Sequence, residues 1–297
     1  MMTGEPTVFR ELRSVLVESI WWDARTEDLA WVDITEGTFH LGSIDGARDG
    51  SDDRIAELPA PVSAIQPAAD GGFVASLQDR IVELDADGRL TKTLASVEHS
   101  HGGIRFNEGK VDPFGRFVVG SMNMTSTAPD GALYTFDAEG TVRMLLGGFH
   151  TTNGLEWSDS GDTMYVTDTS TQTIYRAAYG PGPEDLGELE PFIRGRNSDG
   201  LARAVDGSFW NGIYGAGSVA HWSSDGDPLG DLSVPAPNVT SVAFGGQALS
   251  TLFVGTAREN LTERDLVDAP LSGSIFAVEG MGRGRAASVF GQTTGAP

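Results

Sequence analysis

Short apolar strand signals recur along this chain at a near-constant interval. Six of them are Trp31-Val32-Asp33-Ile34, Phe73-Val74-Ala75-Ser76, Phe117-Val118-Val119-Gly120, Met164-Tyr165-Val166-Thr167, Phe209-Trp210-Asn211-Gly212 and Leu252-Phe253-Val254-Gly255, with steps of about 42, 44, 47, 45 and 43 residues. A sustained period of this length marks a repeat architecture. Each run is followed by a second alternating strand, near 38–44, 80–85, 132–137, 173–178, 218–222 and 274–278. Third candidates follow, for example at 91–95, 142–146 and 189–193. A further strand precedes each run. It leads into a turn holding Asp, Gly or both, such as Asp70-Gly71-Gly72, Asp112-Pro113-Phe114-Gly115, Asp159-Ser160-Gly161 and Asp206-Gly207. The repeating unit is therefore about four strands.

A four-stranded sheet of this size cannot bury its own faces. Six such sheets close their cores by packing radially, so the period predicts an all-β fold. The expected form is a six-bladed β-propeller, with four-stranded antiparallel blades around a central channel and a single domain over 1–297. Two separate sandwiches would not hold one period across the whole chain. Residues 7–17 alternate weakly and lie outside the six units; they are expected to pair with the last blade and leave no open sheet edge. The 39 glycines, and the lack of helical periodicity sustained over four turns, fit strands joined by tight turns.

The first strand of each unit can be aligned by its polar opening position. Those positions are Glu18, Ser63, Asn107, Asn153, Asp199 and Ser241, with steps of about 45, 44, 46, 46 and 42 residues. In a propeller the innermost strands line the channel, and equivalent opening positions form a ring at one mouth. This ring holds two carboxylates, two carboxamides and no apolar residue. Asn-Gly and Asp-Gly are also common turn dipeptides, and one alone reads as a turn. Six polar residues at one register, with Glu18 where no turn is needed, point instead to a site. Converging oxygens suit one divalent cation, Ca²⁺, Mg²⁺ or Mn²⁺. Zn²⁺ also accepts carboxylate oxygen.

Composition narrows the function classes. The formal charge is −22, from 42 acidic and 20 basic residues, which opposes nucleic-acid binding. It reads as a solvated acidic surface, with cation-gathering acidic loops the sharper alternative. There are no cysteines, so disulfides, thiolate zinc sites and cysteine nucleophiles are excluded. No Gly-x-Ser-x-Gly elbow appears. The N-terminal residues lack a secretory signal pattern, and no apolar run reaches about 18 residues. The expectation is a cytoplasmic protein, a monomer or weak homo-oligomer, with no nucleic-acid or membrane partner.

The chain resembles the SMP-30/gluconolactonase/regucalcin-like (LRE-like) family over nearly its whole length. The most specific match is Arg105-Phe106-Asn107-Glu108-Gly109-Lys110-Val111-Asp112-Pro113, a string that no propeller geometry requires. Others are Val17-Glu18-Ser19, Gly120-Ser121-Met122, Asn153-Gly154-Leu155-Glu156-Trp157-Ser158, Ser198-Asp199-Gly200-Leu201, Phe244-Gly245-Gly246 and Thr256-Ala257-Arg258. The resemblance implies a metal held by Glu18, Asn153 and Asp199, with Asn107 beside it and Arg105 touching substrate. It also implies hydrolysis of a small sugar-type lactone to its hydroxy acid.

A cation would polarise the ring carbonyl while a carboxylate takes a proton from the attacking water. That base is assigned to Asp199. Arg105, Asn107, Ser121, His101 and His150 are the expected substrate contacts, with His99 a further mouth residue. Trp21, Trp22, Trp157 and Arg258 are expected to pack. One departure concerns the segment after Gly-Ser-Met, where some relatives carry substrate-touching acids. Here it reads Asn123-Met124-Thr125-Ser126-Thr127, which leaves the identity of the sugar open. Alternative readings are an esterase or phosphotriesterase on the same metal, or a non-enzymatic calcium-binding regulatory protein.

Overall fold

Residues 4–125, 128–182 and 186–292 are described by the computed structural model, and Ser126 and Thr127 fall outside them. The described strands form six four-stranded antiparallel sheets arranged as a six-bladed β-propeller, as the period predicts. The inner strands are Val17–Asp23, Val62–Pro67, Ile104–Val111, Thr152–Trp157, Ser198–Arg203 and Val239–Gly245. In the first five blades the next three strands in sequence are added outward.

The sixth blade is completed from the other end of the chain. Thr7–Arg10 pairs antiparallel with Ile275–Glu279 as the outermost strand. Arg10, 1% exposed, then ties this strand to the first blade: its Nη2 lies 2.9 Å from Asp53 and 2.6 Å from the Ser43 carbonyl.

The apolar runs are continuous because both faces of each blade are covered. Trp31 packs with Phe253 and Ile275 of the sixth blade, while its neighbour Val32 packs with Val62 and Ile65 of the second. In the third blade Phe117 and Val119 face the second blade and Val118 faces the fourth. The six hydrophobic clusters of described residues are the six interfaces between neighbouring blades. Trp21 approaches Phe73 across one interface and Trp22 stacks on Phe253 across another, so these tryptophans pack, as expected. Among the described residues no helix is long and apolar enough to cross a membrane.

The polar-then-glycine signal has a different physical cause from the turn suggested by its dipeptides. Gly154 and Gly200 lie inside strands. A Cβ on Gly154 would meet the Asp199 carbonyl at 2.6 Å, and one on Gly200 would meet Ser241 Cα and the Thr240 carbonyl at 2.8 Å. The inner strands of adjacent blades converge on the channel, and only glycine lets their backbones approach so closely. Gly200→Ala is therefore expected to destabilise the protein by about 1–3 kcal/mol, because backbone must move. A denaturant midpoint equal to wild type would rule this out.

Candidate active site at the channel mouth

Every inner strand breaks register where the polar ring begins. The shifts fall between Glu18 and Trp21, Val62 and Ala64, Phe106 and Gly109, Asn153 and Leu155, Ser198 and Leu201, and Val239 and Val242. A bulge leaves residues unpaired and re-aims their side chains. In the first blade Ser19 adopts a left-handed backbone, φ 51°, immediately after Glu18. Such a conformation in a non-glycine residue is a local strain of the kind held at functional sites.

The ring members do not share one fate. Ser63 Oγ contacts Ser76 Oγ at 2.7 Å, and Ser241 Oγ accepts from Ile20 N at 3.0 Å. Both serines thus serve blade-to-blade or within-blade bonding. The amides form a chain across three blades. Arg105 Nη1 donates to Asn107 Oδ1 at 2.6 Å, and Asn107 Nδ2 donates to Asn153 Oδ1 at 2.9 Å. Asn153 Nδ2 donates to Thr169 Oγ1 at 2.8 Å, and Thr169 Oγ1 donates to the Ser198 carbonyl at 2.6 Å. This chain orients the Asn153 amide oxygen and joins the third, fourth and fifth blades immediately beside Asp199.

Glu18, Arg105, Asn153 and Asp199 are only 8%, 6%, 7% and 5% exposed. Burial, then repulsion from Asp199 and Glu108, pushes the Glu18 carboxyl well above the usual range; Arg105 opposes this. Burial, then Glu108 and Glu259, pushes Asp199 up to about 8, again against Arg105. Glu108 is pushed to about 7, mainly by burial, with Lys110 opposing. The channel therefore concentrates acid with too little positive charge to balance it. Buried carboxylates in this state need a proton or a cation.

Glu18, Asn153 and Asp199 provide an all-oxygen donor set of the kind hard divalent cations take. Among the described residues no three His, Asp or Glu side chains group as a metal site, so a third protein ligand would come from an amide. The residues present thus fit a hard cation.

Beside the carboxylates lies a cleft of about 430 Å³, lined by Arg105, Met124, Thr125, Gln78, Glu259 and loop backbone from the first three blades. Asn107 is half-buried next to Arg105. The other expected contacts, Ser121, His150 and His101, are not among the residues that line this cleft. Ser121 is 1% exposed, and its hydroxyl both donates to the Ala132 carbonyl and accepts from Ala132 N, so it serves the third blade internally. His150 Nδ1 lies 3.2 Å from Asp168. His101 faces Asn123 and Asp130, at 3.3 and 3.5 Å. His99 approaches the Gln78 carbonyl at 3.3 Å and stacks edge-on against Phe106.

Sequence reasoning missed two acids. Glu108 stands with Asn107 in the two-residue register gap of the third-blade bulge and lines a small cavity shared with Ser19, Gln66 and Ser241, separate from the cleft. A bulge prediction would have found it. Glu259 follows the Thr256-Ala257-Arg258 run on a loop; only the fold brings it to the cleft.

The model of a family described as the SMP-30/Gluconolactonase/LRE-like region matches residues 16–258. The chain is 36% identical over 274 residues to a 6-deoxy-6-sulfogluconolactonase of Pseudomonas putida, covering 89% of this chain and 91% of that protein. It is 29% identical over 272 residues to a pentonolactonase of Haloferax volcanii, covering 89% and 90%. Its fold is similar to the crystal structure of a calcium-binding protein, regucalcin, from Agrobacterium tumefaciens, with TM-score 0.87, 26% identity and 97% of each chain covered.

Proposed function

The chain belongs to the SMP-30/gluconolactonase/LRE-like family, and from that premise we propose that it is a metal-dependent lactonase opening a small sugar-type lactone to its hydroxy acid. The observation that carries this reading is the pair of buried carboxylates, Glu18 and Asp199, which interact with each other and with Arg105, a residue that lines the neighbouring cleft. The naming of two similar proteins as lactonases supports the reaction class.

Glu18, Asn153 and Asp199 would hold the cation. When bound, it supplies Lewis-acid polarisation of the ring carbonyl and stabilises the oxyanion that develops there. Asp199 accepts a proton as water oxygen bonds to the carbonyl carbon. The ring C–O bond then breaks, and the departing alkoxide takes the proton held by Asp199, so that water is added across the ester and the carboxylate is restored. Arg105 Nη1 is spent on the Phe106 carbonyl and Asn107, and its Nε approaches Met124 sulfur. Among the described residues Nη2 makes no hydrogen bond and is the donor available to a substrate oxygen. Asn107, held between Arg105 and Asn153, fixes the direction of both groups.

The test is to offer purified protein a sugar δ-lactone, an aryl ester and a phosphotriester in weak buffer. The expected result is acidification that is fastest with the sugar lactone, lost to a chelator and restored by divalent ions. Tight calcium binding with no turnover of any lactone would overturn the proposal in favour of a binding protein.

A further inference from the structure

The cleft contains an acid that the motifs do not assign. Glu259 is fixed through its backbone: its N–H donates to the Val15 carbonyl at 2.9 Å, and its carbonyl accepts from Asn238 Nδ2 at 2.8 Å and Tyr214 Oη at 3.3 Å. Its carboxylate makes no hydrogen bond or ion pair among the described residues, although it lines the same cleft as Arg105. The two charges interact, since Glu259 is the leading group favouring the charged form of Arg105. They nevertheless form no ion pair. A donor-only guanidinium and an acceptor-only carboxylate thus share one cleft and leave room between them.

We propose that Glu259 is a specificity-determining residue that accepts hydrogen bonds from ring hydroxyls of a polyhydroxylated lactone, with Arg105 donating to neighbouring oxygens. This rests on the lactonase reading of the same site. A carboxylate accepts from two adjacent hydroxyls at once, and the bonds are strengthened by its charge. A lactone without hydroxyls would displace water from Glu259 and return nothing, which is how a polar site rejects an apolar analogue.

The place of the acid follows from the departure noted in the sequence. The stretch after Gly-Ser-Met, where substrate-touching acids would be expected, carries none, and the Asn123 amide that opens it binds Asp130 at 2.9 Å and Thr125 N and Oγ1 at 2.9 Å. The hydroxyl acceptor is instead supplied from the sixth blade.

The experiment compares wild type with Glu259→Gln and Glu259→Ala on glucono-δ-lactone and on δ-valerolactone. The ratio of kcat/KM between the two lactones is expected to fall by about 10–100-fold in both variants, carried mainly by KM. A parallel fall on both substrates, with the ratio held, would show a merely structural role and overturn the proposal. Calorimetric titration with gluconolactam and δ-valerolactam makes the outcome independent of turnover. If wild type hydrolyses neither lactone but its preference for the polyhydroxylated lactam collapses in Glu259→Gln, Glu259 keeps its role and the lactonase reading falls. If wild type turns over the sugar lactone and Glu259→Gln keeps the same preference, the role of Glu259 falls alone.

Discussion

Asp199→Asn is expected to lower kcat on a sugar lactone by about 10²–10⁴-fold, the range that a positioned proton acceptor contributes. Asparagine keeps the size of the side chain and one carbonyl oxygen toward the cation, but it cannot take a proton from water. The variant also removes one of the two buried charges available to the ion, so the loss should appear in kcat measured at a cation concentration that saturates the variant. Stability moves the other way. Asp199 is raised from 3.8 to about 8 by burial and neighbouring acids. A carboxyl whose folded pKa lies above its unfolded value favours the fold at low pH, and that contribution is lost as pH rises through the folded pKa. The cation-free wild-type protein should accordingly lose stability between about pH 4 and pH 8. Asp199→Asn should remove part of that loss and raise the thermal midpoint of the chelated protein at pH 7. Wild-type kcat in the variant would remove Asp199 as the base. A lower midpoint would show that its charge is already compensated within the protein.

The second large effect is removal of the cation. Exhaustive chelation should abolish lactone hydrolysis, and divalent ions should restore it. The thermal midpoint gives a readout that does not depend on catalysis. A ligand at about 100 times its Kd stabilises the fold by about 2.7 kcal/mol, so added cation should shift the wild-type midpoint by several degrees. Glu18→Gln should largely lose that shift, because it removes one of two buried charges available to the ion. It should not lower the midpoint of the chelated protein, because the same change relieves repulsion with Asp199 and Glu108. Full activity in protein shown by elemental analysis to hold no metal would sink the cation assignment. A cation shift in Glu18→Gln as large as in wild type would place the ion elsewhere.

Much of this was legible because a propeller writes its geometry locally. Each inner strand repeats its polar opening and its apolar body, so counting along the chain locates the blades and the ring register. Counting could not say what each polar atom does. Ser63 and Ser241 stand in the same register as Glu18 and Asp199, yet their hydroxyls bond Ser76 and the Ile20 backbone. Ser121 sits in a motif of the family string and is consumed by Ala132. Gly154 and Gly200 look like turn residues and are instead contact points between adjacent blades.

The amino-acid sequence by itself determined the six-bladed all-β architecture and the register of the polar ring. Both follow from patterns read within about 45 residues, the spacing of strands and the alternation of their faces. Only the tertiary structure decided which of those polar groups keep atoms free for a ligand, and which acids join them. The surroundings of Asp199 include Arg105 and Glu259, groups far apart in the chain and carried on different blades. Burial and Coulomb interaction depend on such distances through space. Glu259 reaches the cleft because a loop is pinned by Val15, Tyr214 and Asn238, and no local pattern encodes that convergence.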